Sequence, residues 1–238
     1  MKIEPHNLFI EINNFNFVFV VVERVNENYS KIILEENIPI QGIQDKKITD
    51  YNLILKIFKE KIYLLEQNLN LIFKEVIIII DNFNCSLINF SGFKKLNGTQ
   101  LLKENLTYIL NILKSQINEI ENKKTILHIF NSKYLLDKKK VENLPIGLFG
   151  NFYSHELSFC VLNNNDYNNL IKIFDNCNLK IKKILFKSFV EGSIISNENT
   201  DLNTFFQIKI NENNSQIFFF EDDSLKFEQN FNFGLDLI

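Results

Sequence analysis

The chain has 238 residues, of which 45% are hydrophobic and 23% charged, the balance of a folded protein with one large domain or two closely connected ones. Its formal net charge is -3, and its lysine runs (Lys123–Lys124, Lys138–Lys140, Lys182–Lys183) are short and scattered, which excludes the basic face of a nucleic-acid binder. Asn, Ile, Lys and Phe dominate, while Gly (7), Pro (3), Met (1) and Trp (0) are scarce; this is the bias of an AT-rich genome rather than a functional signature.

In chain order, Leu8–Ile12 and Phe17–Val25 read as strands joined by the polar turn Asn13–Asn16, and Lys31–Glu35 as a third strand entered through Asn26–Ser30. Val18–Val22 is apolar at every position, which predicts a central strand covered on both faces. A loop with Pro39 and Gly42 leads to Thr49–Asp50, a helix N-cap pair. Beyond it, Ile54, Ile57, Phe58, Ile62 and Leu65 make one helical stripe. Phe73–Ile80 lacks polar alternation and reads as a buried strand parallel to the first.

Residues 83–160 change style and predict an inserted strand–helix–strand–strand module. Its parts are a strand at Ser86–Phe90, a turn at Ser91–Gly92, and a helix capped by Thr99 and carrying Leu102, Leu106, Ile109, Leu110, Leu113 and Ile117. Strands at Thr125–Leu136 and Tyr153–Leu162 flank the loop Lys138–Asn151. A helix capped by Asn164–Asn165 or Asp166 follows, bearing Leu170, Phe174 and Cys177. A strand at Ile181–Phe186 and a short helical turn around Val190–Ser196 come next. Strands at Phe205–Ile210, Ile217–Glu221 and Leu225–Asn230 then repeat the opening meander. The domain division expected is residues 1–82 with 161–196, the module 83–160, and residues 197–238 as the start of a second subdomain.

The cysteines Cys85, Cys160 and Cys177 form no CxxC pair, so neither a disulfide framework nor a zinc site is signalled, and their apolar surroundings suit reduced thiols in a cytoplasm. His6, His128 and His155 show no ligand spacing, and no nucleophile elbow is present. The Phe-rich stretches Phe15–Phe19 and Phe218–Phe220 lack the interleaved basic residues of a single-strand platform, so core packing is expected. Glu221–Asp223 reads as a turn. The longest apolar run, Val76–Ile80, falls far short of the roughly 20 residues of a spanning helix.

Several stretches, together and in order, resemble the bacterial cell-division family FtsA. IEINNFNFVFVVVE (Ile10–Glu23) aligns with that family's first phosphate loop and its flanking strands, and IPIQGIQDKKITD with the segment before the first helix. TILHIFNSKYLLD resembles the family's LHxIPxxYxLD stretch, and NLPIGLFGNF its NPxGLxGxxL motif. NCNLKIKKILFKSFVEGSII resembles the CGLxV segment and the small-residue helix after it. The resemblance implies an α/β, actin-like (ribonuclease-H-type) fold. It also implies a cytoplasmic scaffold at the inner membrane face of the division site, with FtsZ, later division proteins and further copies of itself as partners. Membrane contact is peripheral in full-length members. The motif loop supplies the partner-contact candidates Asn143, Pro145, Gly147 and Gly150. The alternatives are an actin-like component of pilus or secretion assembly and a nucleotide-hydrolysing enzyme of the same superfold.

Both phosphate loops depart from the family. Actin-like ATPases cradle phosphates with the backbone N–H groups of two glycine-rich turns. Here Asn13, Asn14 and Asn16 stand in the first. In the second, Lys209 replaces the magnesium-organising Asp, Asn211, Glu212 and Asn213 the glycines, Asn214 the Thr, and Gln216 the last Asp. A lysine ammonium has no acceptor for hydrated magnesium. The expectation is therefore no catalytic residue, no metal and no cofactor, where relatives use ATP; the alternative for these turn residues is weak or magnesium-independent nucleotide binding, with Lys209 neutralising a phosphate. The final FGLDLI falls where the family enters its second half, so a truncated second half is expected.

Overall fold

The computed structural model describes residues 6–26, 29–81, 83–199 and 201–235. Part of the expected turn Asn26–Ser30 and the last three residues of FGLDLI lie outside these. The elements run β1 (His6–Ile12), β2 (Asn16–Arg24), β3 (Ser30–Pro39), β4 (Ile43–Gln44), β5 (Lys47–Ile48), α1 (Tyr51–Leu69) and β6 (Glu75–Ile80). Next come β7 (Cys85–Lys95), α2 (Lys103–Ile120), β8 (Lys124–Leu136), β9 (Lys139–Val141) and β10 (Phe152–Asn163). The chain continues through α3 (Asn164–Asn176), β11 (Lys180–Phe186), α4 (Lys187–Glu198), β12 (Phe205–Ile210), β13 (Ser215–Glu221) and β14 (Ser224–Phe231). Two compact units result: Met1–Asn84 with Asn163–Lys187, and Cys85–Leu162 with Ser188–Ile238.

The first unit is built on a five-stranded sheet of order β11-β6-β1-β2-β3. β1 and β2 pair antiparallel, and β6 joins β1 in parallel with Leu8 opposite Val76 and Ile12 opposite Ile80, as its β-branched run predicts. α1 starts at Asp50, whose carboxylate accepts the Leu53 N–H at 2.9 Å, satisfying one of the orphan donors of the first turn. Its stripe Ile54, Phe58, Ile62 and Leu65 is buried. Phe58 meets Phe17 and Phe19 edge-on at 4.9 and 5.6 Å and Phe174 of α3 at 5.3 Å. Burial of each such ring contributes on the order of 2 kcal/mol. On the other side of β2, Val18, Val20 and Val22 are only half-buried, so the covering expected on both faces is complete on one.

The second unit contains the module and the second meander. The module sheet has the order β7-β10-β8-β9, and the apolar stripe Ile109, Leu113 and Ile117 of α2 packs with Tyr153, Leu157 and Phe159 of β10. The turn expected at Ser91–Gly92 is instead continuous strand. Gly92 is there for clearance: a Cβ would lie 2.3 Å from Ile109 Cγ2. The α2 cap is Leu102, not Thr99. Leu102 offers no side-chain acceptor, and Asn105 Oδ1 takes the Leu102 N–H at 2.9 Å, while the Thr99 hydroxyl donates to the Leu96 carbonyl at 2.7 Å.

Three more expectations need correction. Asn163, rather than a residue of 164–166, caps α3 by accepting the Asn165 N–H at 2.9 Å. The turn around Val190 is a full helix, α4. The loop after β8 folds back as β9, because Asp137 and Lys138 adopt positive φ and close a tight hairpin. The second meander, of order β12-β13-β14, buries Phe205, Phe218, Phe220 and Leu225, and α4 approaches Phe220 so closely that Gly192 has no room for a Cβ.

Candidate functional site

The first candidate turn closes on itself. Asn13 N–H donates to the Asn16 carbonyl at 3.1 Å, and the Asn13 side-chain oxygen accepts the N–H groups of Phe15 (2.9 Å) and Asn16 (2.8 Å). Those are the kind of donors a glycine-rich turn points at a phosphate; here a carboxamide oxygen takes them. The Asn13 amide donates onward to Glu11 at 2.9 Å, and Glu11 is ion-paired with Lys187 at 2.7 Å. Asn14 is exposed.

The second turn is closed the same way, by an Asn211 N–H to Asn214 carbonyl bond of 2.8 Å and a side-chain bond from Asn211 to Asn214 of 2.7 Å. The carbonyl of Asn211 accepts the Leu235 N–H at 3.0 Å. Gly234 lies so near that a Cβ would be 2.2 Å from the Asn211 oxygen. Lys209 is held by Glu191 of α4 at 2.6 Å and sits 5.2 Å from the Phe218 ring centre. Gln216 donates to Asn230 at 2.7 Å. Asn213 is exposed beside Glu212 at the tip. Carboxylates beside both turns, Glu11 and Glu191, give them no net positive field for a triphosphate. The two turns belong to different compact units.

The loop of residues 143–150 is braced by backbone hydrogen bonds. Pro145 and Gly150 are buried, Asn143 and Gly147 exposed. Gly147 N–H donates to Leu101 O (2.8 Å), Leu101 N–H to Leu148 O (2.9 Å), and Gly98 N–H to Gly150 O (3.0 Å). Asp137 accepts the N–H groups of Asn151 and Phe152, each at 2.8 Å. Large apolar side chains therefore face outward: Leu148 is 53% and Phe149 68% exposed. Phe149 and Leu102 line a cleft of about 510 Å³ with Thr99, Gln100 and Asn105.

With this geometry, comparison with known proteins is informative. No family model matches the sequence. The chain is 23% identical over 220 residues to the cell division protein FtsA of Buchnera aphidicola subsp. Acyrthosiphon pisum, covering 92% of this chain and 52% of that protein. It is 22% identical over 189 residues to FtsA of Buchnera aphidicola subsp. Schizaphis graminum, covering 79% and 45%. It thus spans about half the length of the curated relatives it matches. Among solved structures, one titled PilM-PilN type IV pilus biogenesis complex superposes with a TM-score of 0.65 at 11% identity, over 98% of this chain and 63% of that one.

The fold is actin-like. Beside the turns, Glu11 is a local neighbour two residues before Asn13, whereas Glu191 reaches Lys209 through the packing of α4 on β12. Sequence reasoning had chosen the Pro and Gly of the FtsA-like loop. Among and beside those residues, Leu144, Ile146, Leu148 and Phe149 are exposed.

Other titratable groups have no convergent chemistry. Burial pushes the Cys177 thiol up to about 11, which keeps it protonated and inert. Burial lowers His155 to about 4, and its Nε2 has no hydrogen-bond partner among the described residues. Among the described residues no three His, Cys, Asp or Glu side chains converge to hold a metal ion, and no helix is long and apolar enough to cross a membrane.

Proposed function

We propose that this chain is a cell-division adaptor of the FtsA type, a cytoplasmic scaffold at the septal membrane face that works by protein–protein contact and not by bond chemistry. The observation that carries the non-enzymatic reading is the Asn13 side chain, which accepts two N–H groups of the first turn that a phosphate would otherwise need. The neutralisation of Lys209 by Glu191 supports it in the second turn. The similarity to FtsA over most of the chain supports division rather than pilus assembly, which shares the fold. Partners would be FtsZ, later division proteins or further copies, and no nucleotide cofactor is required.

The contact surface is the braced loop of residues 143–150, with Leu148 and Phe149 as its apolar anchors. Co-purification of the full chain with division proteins tests it. The double variant Leu148→Glu, Phe149→Glu loses the later division partners and keeps its fold, since both side chains are exposed; undiminished capture overturns the assignment. Equilibrium titration with labelled ATP tests the other half: magnesium-dependent micromolar affinity would contradict the self-closed turns.

A further inference from the structure

The module cleft at Phe149 has a sign as well as an apolar wall. Leu96, Leu102 and Phe149 line it; Leu96 is buried, and the other two are exposed. The charged side chains lining it are Lys94 and Lys95, with no carboxylate beside them. In the first turn of α2 Lys103 offsets Glu104. The cleft is therefore positive on a chain whose net charge is -3. Lys95 is exposed and takes part in no ion pair among the described residues. Lys94 lies over the Tyr108 ring at 4.6 Å, a contact that directs the ammonium without neutralising it. A cleft with charge of one sign and low-dielectric walls concentrates ions of the opposite sign.

The backbone adds a third feature. Gln100 stands opposite Phe149 in an isolated antiparallel bridge. Its neighbours make the bonds of that bridge, Leu101 N–H to Leu148 O and Gly150 N–H to Thr99 O. In a pair of this kind the facing residues turn their own N–H and C=O groups away from each other. Gln100 accordingly has no hydrogen-bond partner among the described residues, and it lines the cleft. An extended chain can pair with such open groups.

We propose, on the adaptor reading of the same surface, that this cleft receives an extended acidic segment of a partner protein. A large apolar side chain of the segment packs against Leu102 and Phe149, its carboxylates face Lys94 and Lys95, and its backbone pairs with Gln100. A basic segment would be repelled by the two lysines. An uncharged apolar one would have the wall but no charge to set its direction.

The probe is a fluorescein-labelled peptide of sequence EDELFDED, titrated into the full chain and read by anisotropy. Saturable binding is expected, and it should weaken as salt rises. Lys95→Glu, which keeps the unfolding midpoint because the side chain is exposed, should weaken it at least about tenfold. Phe149→Ala, also exposed, should do the same. A peptide with lysine at every acidic position should not bind, nor should one with Gly-Ser in place of Leu-Phe. No saturable binding of the acidic peptide at about 1 mM overturns the proposal. So does undiminished binding to the Lys95→Glu chain, or equal binding of the lysine peptide. Partner capture separates this from the adaptor reading. Loss of division partners in both Lys95→Glu and the Leu148→Glu, Phe149→Glu chain supports an acidic partner. Loss in the double variant alone overturns the acidic partner and leaves the adaptor in place, whereas undiminished capture in both overturns the adaptor surface itself.

Discussion

The opening meander (β1–β3) and the later one (β12–β14) have the same strand order and the same closing bond across the turn, yet Leu8, Ile10 and Ile12 of β1 are buried while Phe206, Ile208 and Ile210 of β12 are exposed. Hairpin register follows from the turn, and both regions close a two-residue tip, Asn14–Phe15 in the first and Glu212–Asn213 in the second. Burial follows from what else reaches the strand, and only the first has α1 and β6. Even the turns differ in how they are stabilised. The first is braced by its own Asn13 side chain; the second is braced from outside by Leu235 and Gly234. At the corresponding positions Glu11 and Lys209 the charges are opposite, and each is neutralised by a partner of the other sign.

The sharpest way to test that contrast is to truncate matched faces. Phe58→Ala removes the ring that holds Phe17, Phe19 and Phe174 together and should cost about 3–5 kcal/mol in urea unfolding. Ile208→Ala in the second meander should cost less than about 0.5 kcal/mol. Comparable losses would mean that the outer face of β12 is not exposed.

Acid should separate the units by sign. The folded His155 imidazole, lowered by burial to about 4, takes up its proton later than in the unfolded chain, where it titrates near the ordinary imidazole value of 6.5. The unfolded state therefore binds more protons between those values, and stability of the second unit falls as pH drops from about 6.5, by about 3 kcal/mol at pH 4. In the first unit burial raises the Asp166 carboxyl. Its folded form binds the proton first, so the penalty of its charge is relieved as pH falls through the folded value. Urea titrations read unit by unit in NMR spectra at pH 7 and pH 4 should show the second unit weakened, and His155→Leu should flatten that loss. An unchanged slope in the variant would remove His155 as the cause.

The smallest difference is expected at the tips. Asn13→Ala strips the acceptor from two turn N–H groups and should cost about 1–2 kcal/mol. Asn211→Ala loses a single exposed side-chain bond and should cost about 0.5 kcal/mol or less. Equal midpoint shifts in urea would show that the two turns are braced alike.

Much of this architecture was legible in the chain. The run Phe73–Ile80 reads as a buried strand and pairs in parallel with β1, although Ile77 and Ile79 are only half-buried; the 54–65 stripe reads as an amphipathic helix, and the repeated strand–turn–strand pattern as a duplication. Misreadings arose where a residue type has two uses. Gly92 looked like a turn because glycine permits one, but its missing side chain makes room for α2. Thr99 looked like a helix cap, yet its hydroxyl serves a loop carbonyl and Asn105 takes over from three residues inside the helix. At the candidate turns the loss of glycines was visible. The closing of the first turn's N–H groups onto Asn13 depends on side-chain direction, and the seating of Lys209 against Glu191 on packing between α4 and β12, which no spacing encodes.

The bracing of residues 147–151 by residues 96–101 has a thermodynamic corollary. A loop already fixed by backbone bonds to its neighbour surrenders little conformational entropy when something lands on it. Docking onto Leu148 and Phe149 then requires only the freezing of two side chains, each on the order of 1 kcal/mol. For the docking proposed above, this bracing lowers the ordering cost of association.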